Sequence, residues 1–340
     1  MAMRAILFLS VALALALPVA TRADETVILL SHSNSNDRDN NPTAAMAVTF
    51  KERVEAASNN TLRVEIFPEN QLGIDAKAVG LVGKGVIQMA ISSVSGVAPL
   101  YPLIGVMDYP FAYRRAEDAY AVLDGPFGQR LRRDIEAKTG LAILGFGDTG
   151  GLFVITNSRR PVRGPGDLAG LRIRTMKSES HKLQVRSLGA EPVTIAWNRV
   201  FDALQAGMAD GQMNPIQTTR YGRLHTVQKY MTLTNHIYAP FLWTANRDFM
   251  AGLSDSQRKA VFDAVVEGIR ASRAQAGDYS DILLSALLPS VQIHRPTEAE
   301  LAAFRQATQA PMRDFIAQTY GEEGISLLND FLEAVRQARH

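Results

Sequence analysis

Runs of strand-forming residues alternate with helical patterns along most of this 340-residue chain, and this alternation restricts the possible folds more than any other feature. The run TVILLS at 26–31 is followed by TAAMAVTFKERVEAAS at 43–58, whose apolar residues recur at helical spacing. TLRVEIFP at 61–68 is typical of a strand, and VIQMAISS at 86–93 is typical of a buried one. Strands that alternate with helices form mostly parallel sheets covered by helices. The sequence therefore predicts an α/β protein.

The chain is long enough for two domains, and it contains no cysteine. A chain of this size buries enough apolar surface to be stable without disulfides. It has no polar linker, internal repeat or low-complexity tract, which indicates two domains joined by several crossings of the chain. The long helical stretch from Leu253 to about Leu288 is predicted to connect them. This stretch opens with Ser254, and Gln257 follows at the capping-box spacing.

The first 23 residues, MAMRAILFLSVALALALPVATRA, have the pattern of a secretory signal peptide. Arg4 supplies the early positive charge, an apolar stretch runs from Ala5 to about Leu17, and small residues end at Ala23. This apolar stretch is shorter than a membrane-spanning helix. Cleavage after Ala23 would remove Arg4 and Arg22 and leave 34 basic and 34 acidic side chains. We therefore expect a soluble, exported protein, and its neutral charge gives no reason to expect nucleic acid as a partner.

Motifs for catalysis, cofactor binding and metal binding are weak or missing in this sequence. GFGDTG at 145–150 matches a dinucleotide-binding loop, but the apolar, β-branched GLFVITN follows where such a loop requires a helix. The six histidines lack metal-ligand spacing, and NSNDRDNN at 34–41 lacks the glycine and the terminal glutamate of a calcium loop. The sequence has no G-x-S-x-G, H-E-x-x-H or P-loop motif. We therefore predict no cofactor, no metal site and no catalytic residues.

Two arginines stand two places apart in GDLAGLRIRT at 166–175, a run that is otherwise typical of a strand. Side chains alternate between the faces of a strand, so Arg172 and Arg174 are expected to point the same way. Two guanidinium groups on one face of a half-buried strand are costly unless something acidic or aqueous meets them. The residues themselves leave open whether the two arginines meet solvent, a structural carboxylate or a ligand.

Seven short segments follow one another along the chain: FPENQLG (67–73), MDYPFAY (107–113), VLDGPFG (122–128), TNSRRPV (156–162), DLAGLRIRT (167–175), DGQMNP (210–215) and TNHIY (234–238). In this order and spacing they resemble the extracytoplasmic substrate-binding proteins of tripartite ATP-independent periplasmic (TRAP) transporters, the dicarboxylate-binding-protein family. The resemblance covers nearly the whole chain after the predicted signal peptide. It implies a two-lobed α/β periplasmic-binding-protein fold with a hinge and a long interdomain helix.

The resemblance also implies a carboxylate-binding site in the cleft between the lobes. Arg174 matches the family arginine that grips a substrate carboxylate, a task that suits its planar fork of donors. Arg172 falls where a lysine is usual, which implies a surface or interdomain role. Trp197 matches the aromatic residue placed against the ligand, and Asn214 matches the asparagine that hydrogen-bonds it. On the first lobe, the segments that line the cleft contain His32, Asp75, Ser92 and Ser93.

The sequence departs from the family pattern at positions that bear on the ligand. Many relatives carry a second ligand-facing arginine where this chain has Leu152, and Met213 replaces a glutamate. Relatives that bind a sugar acid can carry a glutamate where Ser93 stands. With Leu152, Met213 and Trp197 as apolar contacts and one arginine in view, the pattern favours a small monocarboxylate with keto, hydroxyl or ring groups over a compact dicarboxylate. Arg172, Arg220 or backbone N–H groups remain alternative partners for a second carboxylate.

Together these inferences predict an organisation and a function. Residues 24–149 and 240–279 form lobe I, residues 150–239 and 280–340 form lobe II, and residues 1–23 are removed. The mature protein is a monomeric periplasmic solute-binding protein, not an enzyme, that closes on a small organic carboxylate and delivers it to the membrane subunits of a TRAP permease. A subset of the family dimerises through an extra C-terminal helix, so a dimer stays open. The alternative functions are a binding protein that serves a sensor and an enzyme on a similar two-lobed frame.

Overall fold

The computed structural model describes residues 25–277, 284, 286 and 290–339. The predicted signal peptide at 1–23 lies outside these residues, and so does most of the predicted end of the long helical stretch. Among the described residues, none of the helices combines the length and the apolar character that a membrane span requires.

The described residues form eleven strands in two sheets, and the helices pack against these sheets. The strands are β1 (Thr26–His32), β2 (Leu62–Phe67), β3 (Met89–Ser93), β4 (Leu141–Gly147), β5 (Phe153–Asn157), β6 (Arg172–Thr175), β7 (Glu191–Thr194), β8 (Gly211–Pro215), β9 (Tyr230–Thr232), β10 (Phe241–Asn246) and β11 (Gln292–His294). The α-helices are α1 (Pro42–Ala57), α2 (Asp75–Gly83), α3 (Val94–Val97), α4 (Ala116–Asp124), α5 (Pro126–Thr139), α6 (Glu179–Ser187), α7 (Val200–Gln205), α8 (Ile216–Tyr221), α9 (Arg247–Gly252), α10 (Asp255–Gly277) and α11 (Glu298–Ala338).

Each sheet is mixed, with a parallel part and one or more antiparallel strands. The first sheet has the strand order β2-β1-β3-β10-β4, in which β1 is parallel to β2 and β3 while β10 is antiparallel to β3 and β4. The second has the order β11-β9-β5-β8-β6-β7, in which β6 is parallel to β7 and β8 while β5 is antiparallel to β8 and β9. The predicted α/β class is confirmed.

Helices cover both faces of the first sheet. On one face, α1 and α10 bury a core around Trp243, whose ring meets that of Phe50 edge-on at 4.8 Å between centroids. On the other face, α2, α4, α5 and part of α11 bury a second core that contains Val79, Leu131 and Phe331. Asn41 begins α1 as its N-cap, because its side chain accepts from the N–H groups at the start of the helix.

The chain passes from the first sheet to the second directly after β4. Gly150 and Gly151 turn the chain there with φ angles of 120° and 94°, a region that residues with a Cβ atom rarely adopt. Asp148 is fully buried and accepts hydrogen bonds from Gly150 N–H at 2.5 Å, from Gly151 N–H at 2.7 Å and from the Tyr120 hydroxyl at 2.5 Å. Burial raises the pKa of Asp148. This carboxylate ties the crossing to α4.

In its described part, α10, the predicted connector helix packs on the first sheet. Its predicted capping box is present, because Gln257 N–H donates to Ser254 Oγ at 3.2 Å and Ser254 N–H donates to Gln257 Oε1 at 3.1 Å. Val261 and Val265 of α10 are fully buried against α1 in the core of the first sheet. The described part of this stretch therefore uses its apolar face within one lobe, and its connector role stays a prediction, because most of its predicted end, which precedes β11 of the second sheet, lies outside the described residues.

Among the described helices, α11 packs in the cores of both lobes. Phe304, near its start, packs in the core of the second sheet, whereas Met312 and Phe331 pack in the core of the first. A non-helical φ of 60° at Gly321 bends the helix along the way. The predicted lobe II, which included all of 280–340, therefore differs from the observed packing beyond Met312, because the apolar face of the later turns matches α4 and α5. The other lobe boundaries stay a prediction.

Candidate functional site

A cavity of about 470 Å³ lies between the two sheets and is lined by residues of both. On the first-sheet side its walls come from the residues after β1, the end of β3 and the start of α2. On the other side they come from the end of β6, from β8 and from the loop after β7. Ligands of α/β proteins bind beyond the carboxyl ends of the strands. Five of the eight predicted site residues line this cavity: Asp75, Ser93, Arg174, Trp197 and Asn214.

Arg174 is a nearly buried cation at the end of β6, with a residue exposure of 3%. Its Nε donates to the carbonyl of Ile195 at 2.9 Å, and no carboxylate of the described residues lies within ion-pair distance of it. Burial lowers the pKa of Arg174 to about 10, and the negative charge of Asp75 opposes that shift. The group still carries its positive charge at neutral pH. The guanidinium therefore meets the cavity with its charge uncompensated by an ion pair.

Arg172, two residues earlier on the same strand, has an ion-pair partner within the protein. Its Nη2 donates to Asp210 Oδ1 at 2.9 Å and its Nε donates to Asp210 Oδ2 at 3.1 Å. Arg159 also donates to Asp210, at 2.8 Å. Hydrogen bonds from Arg172 hold the pKa of Asp210 well below its usual range. The two arginines of β6 thus meet different surroundings: Arg172 meets a structural carboxylate and Arg174 meets the cavity.

Asp75 faces the cavity from the first-sheet side, as the first residue of α2. Its Oδ2 accepts from the N–H of Ser93 at 2.9 Å and from the Oγ of Ser93 at 2.6 Å. Gly96 lies close behind, where an added Cβ atom would come within 2.9 Å of the Cβ atoms of both Asp75 and Ser92. This close approach requires glycine at position 96, and the two hydrogen bonds fix the orientation of the Asp75 carboxylate.

Asn214 and Trp197 complete the second-sheet wall. Asn214 is 5% exposed, and its Nδ2 donates to Gln212 Oε1 at 2.5 Å, which orients the amide. The half-buried Trp197 meets the ring of Tyr221 edge-on, with centroids 5.8 Å apart. The Tyr221 hydroxyl in turn lies 3.4 Å from Oδ1 of Asn34, on the opposite wall. An aromatic surface and a fixed amide therefore stand in the same cavity as the buried arginine.

The sequence model of the family described as bacterial extracellular solute-binding protein, family 7, matches residues 32–319. The chain belongs to this family. It is 30% identical over 318 residues to the C4-dicarboxylate-binding periplasmic protein DctP of Rhodobacter capsulatus, and the match covers 93% of each chain.

Two solved structures show the same fold as this family 7 protein. One is a TRAP periplasmic solute-binding protein of Sulfurospirillum deleyianum with bound succinate, at 28% identity and a TM-score of 0.81, covering 90% of this chain and 99% of that one. The other is the sugar acid binding protein DctPAm of Advenella mimigardefordensis in complex with galactonate, at 27% identity and a TM-score of 0.85, covering 93% and 99%. The predicted membership of the TRAP solute-binding proteins and the predicted two-lobed fold are confirmed.

Three predicted site residues of the family 7 protein lie outside the lining of the cavity. His32 is 2% exposed at the end of β1, and burial lowers its pKa to about 4; Ser33 and Asn34, which follow it, line the cavity instead. Ser92 is 1% exposed within β3, where side chains alternate, so that Ser93 rather than Ser92 faces Asp75. Leu152 packs against the core of the first sheet.

Met213, predicted as an apolar contact for the ligand, is buried in the core of the second sheet, and its sulfur lies 3.3 Å from Nε2 of His236. It alternates with Asn214 along β8, so only Asn214 faces the cavity. The apolar lining comes from other residues: Ile74, Val94, Phe153, Met176 and Phe241. The apolar character of the site predicted from Leu152 and Met213 therefore has a different origin.

Sequence reasoning missed several lining residues. Asn34 lies in the polar run at 34–41, and its position directly after a strand was the available signal. Tyr221 and Thr218 follow the DGQMNP segment on α8, one turn apart on the same face. Tyr320 reaches the cavity from α11, about a hundred residues further along the chain, and no local signal marks it. Within the described residues, no group of three or more metal-ligating side chains occurs.

Proposed function

We propose that this protein binds a small organic acid in the cavity between its lobes and delivers it to the membrane subunits of a TRAP permease. The observation that carries the proposal is Arg174, a nearly buried guanidinium that lines the cavity and has no ion-pair partner among the described residues. A buried charge without a partner is costly, and a ligand carboxylate bound through two parallel hydrogen bonds would offset that cost.

The other groups around the cavity suit the same ligand. Asn214 and Ser93 offer hydrogen bonds, and Trp197 offers a flat apolar surface. The relatives with similar sequences or structures carry names or ligands of this class: C4-dicarboxylate, succinate and galactonate. The role proposed here is binding alone, without catalysis or a cofactor, as in a solute-binding protein that hands its cargo to a transporter.

The proposed location is the periplasm. The support is the signal-peptide pattern at 1–23 and the family, whose description is extracellular. Cleavage after Ala23 would make Asp24 the first residue of the mature chain. Intact-mass measurement of protein released from the periplasm tests this start, and a full-length mass there would contradict it.

A thermal-shift screen over organic acids tests the binding proposal. A ligand at 100 times its dissociation constant stabilises the folded state by about 2.7 kcal/mol, which raises the melting temperature measurably. The screen should contain succinate, galactonate, short hydroxy acids and short amino acids, with amides of the same skeletons, which lack the carboxylate, as controls. We expect acids to stabilise the protein and the matching amides to have no effect. Equal shifts with acids and amides would contradict a carboxylate site at Arg174.

Uptake into vesicles that contain TRAP membrane subunits, with and without this protein, tests delivery.

A further inference from the structure

Five charged residues of the described chain line the cavity, and two of them present charges that a ligand inside it can contact. Lys177 and Glu179 are exposed at the edge, where water screens their charges. Asp108 is 0% exposed, and Nε2 of His181 lies 3.3 Å from its carboxylate. Arg174 and Asp75 remain. Asp108 adds a second, fully buried negative charge whose oxygens lie against Ser180 and His181, so Arg174 is the cation and Asp75 the anion that a ligand can contact.

These two charges face the cavity from opposite sides without neutralising each other directly. Arg174 ends β6 of the second sheet, and Asp75 begins α2 beside the first sheet. They form no ion pair, although the negative charge of Asp75 acts on the guanidinium through space. One oxygen of Asp75, Oδ2, accepts both hydrogen bonds from Ser93, and the other oxygen accepts none from a described residue. That second oxygen is available to a donor on the ligand.

We propose that Asp75 selects the ligand class: acids whose far end donates a hydrogen bond, an ammonium or a hydroxyl group, bind in preference to dicarboxylates. This inference rests on the proposed function, because the first carboxylate of the ligand must occupy Arg174. A second carboxylate near Asp75 would bring two anions together where little water screens them, with no second buried cation in the described lining. An ammonium or a hydroxyl group instead completes the hydrogen bonding of Asp75, and an ammonium also balances its charge.

Asp75 gives the preference for a monocarboxylate a basis in the structure. The sequence suggested that preference from Leu152, which stands where relatives carry a second arginine, yet Leu152 packs in a core and does not line the cavity. In the structure, the preference depends on the negative charge of Asp75 and not on the missing second arginine. Leu152 favours any monocarboxylate, whereas Asp75 favours a ligand with an ammonium group over a purely apolar monocarboxylate.

The test uses ligands that differ only at the far end. Succinate, 4-aminobutyrate, 4-hydroxybutyrate and butyrate share one carboxylate and one chain length, and the corresponding five-carbon series allows for the spacing between the two charges. Isothermal titration calorimetry gives each dissociation constant. We expect the amino and hydroxy acids to bind more tightly than the plain monocarboxylate, and the dicarboxylate to bind at least about tenfold more weakly than the amino acid.

Asp75→Asn tests whether Asp75 causes the preference. This near-isosteric change keeps an acceptor for Ser93 but removes the negative charge, so the amino acid should lose about tenfold in affinity while the dicarboxylate gains relative to it. Asp255→Asn is the matched control, because Asp255 is also the first residue of a helix but is exposed and does not line the cavity. Circular dichroism melting of each variant shows that it is folded.

The outcomes separate this inference from the proposed function. Tightest binding of succinate or glutarate to the wild-type protein would overturn the role of Asp75 and leave the carboxylate site standing. A preference for the amino acids that persists unchanged in Asp75→Asn would also overturn it. If no acid of the panel binds, and galactonate does not bind either, the proposed function fails and this inference fails with it.

Discussion

The guanidinium of Arg172 holds the carboxylate of Asp210 through two hydrogen bonds, from Nη2 at 2.9 Å and from Nε at 3.1 Å. A fork-to-fork pair of this kind is already satisfied and gains nothing from a ligand. Arg174, two residues along β6, has no such partner among the described residues and lines the cavity. One strand thus carries a structural arginine and an arginine available for binding.

This difference predicts opposite effects of two alanine variants. Arg174→Ala should weaken binding of the acid ligand by about 2–5 kcal/mol, because a buried charge-assisted contact is lost. Its folded state should be no less stable, since a buried unpaired cation has been removed. Arg172→Ala should leave affinity nearly unchanged and lower the melting temperature, because Asp210 loses its main partner. Calorimetry and thermal melts measure the two effects, and equal losses of affinity in both variants would contradict this assignment.

Two buried histidines predict that the protein loses stability in mild acid. Burial lowers the pKa of His32 to about 4 and that of His236 to about 3, whereas both would titrate near 6.5 in the unfolded chain. Between pH 6.5 and about 4 the unfolded state therefore binds more protons, and the free energy of unfolding falls as the pH falls. His32→Gln should reduce this fall by about 2 kcal/mol between pH 7 and pH 4.5, as measured by urea denaturation at each pH. An unaltered fall in the variant would mean that His32 is not buried as a neutral ring.

The packing of α11 predicts that its last turns stabilise the first lobe. The ring of Phe331 is fully buried, with centroids 5.5 Å from those of both Tyr113 and Phe127. Phe331→Ala should lower the free energy of unfolding by about 3–5 kcal/mol, since it leaves a cavity in a closed core. Phe262→Ala is the control, because Phe262 is 43% exposed on α10 and its removal should change stability little. Denaturant unfolding measures the free energy of unfolding of both variants. Similar small losses of that free energy in the two variants would place the end of α11 outside the core.

Contacts across the cavity predict that ligand binding makes the particle more compact. The Tyr221 hydroxyl lies 3.4 Å from Asn34 Oδ1, and the Gln217 amide donates to the carbonyl of Asn40 at 2.9 Å. A ligand that touches both walls should favour the closed arrangement of the lobes. Small-angle scattering should show a smaller radius of gyration with saturating ligand, and the amide of Asn34 should exchange more slowly. Arg174→Ala, at the same ligand concentration, should show neither change. No compaction of the wild-type protein would argue against a hinged binder.

Much of the local structure followed from the sequence, and so did part of the site. The strand at 26–31, the buried strand ending at Ser93 and the capping box at Ser254 depend on periodicity and on neighbours a few residues away. Arg174 and Asn214 were found through motifs that place them at the ends of strands. Ser92 and Ser93 were both predicted to line the cleft, and only Ser93 does, because neighbouring side chains of a strand point to opposite faces and no motif specifies which one faces the cavity.

The sequence by itself determined the α/β class, the family and the presence of an arginine suited to a carboxylate, because these depend on local pattern and on segments in a fixed order. The resemblance assigned Arg174 to the ligand carboxylate, but only the tertiary structure decided which carboxylate holds Arg172. Asp210 lies 38 residues beyond Arg172, and nothing local pairs them. The tertiary structure also decided that α11 packs in the cores of both lobes and that Asp75 and Arg174 line one cavity from opposite sides. Such relationships arise when distant elements compete to bury apolar area and to satisfy charges, and that competition is settled only when the whole chain packs.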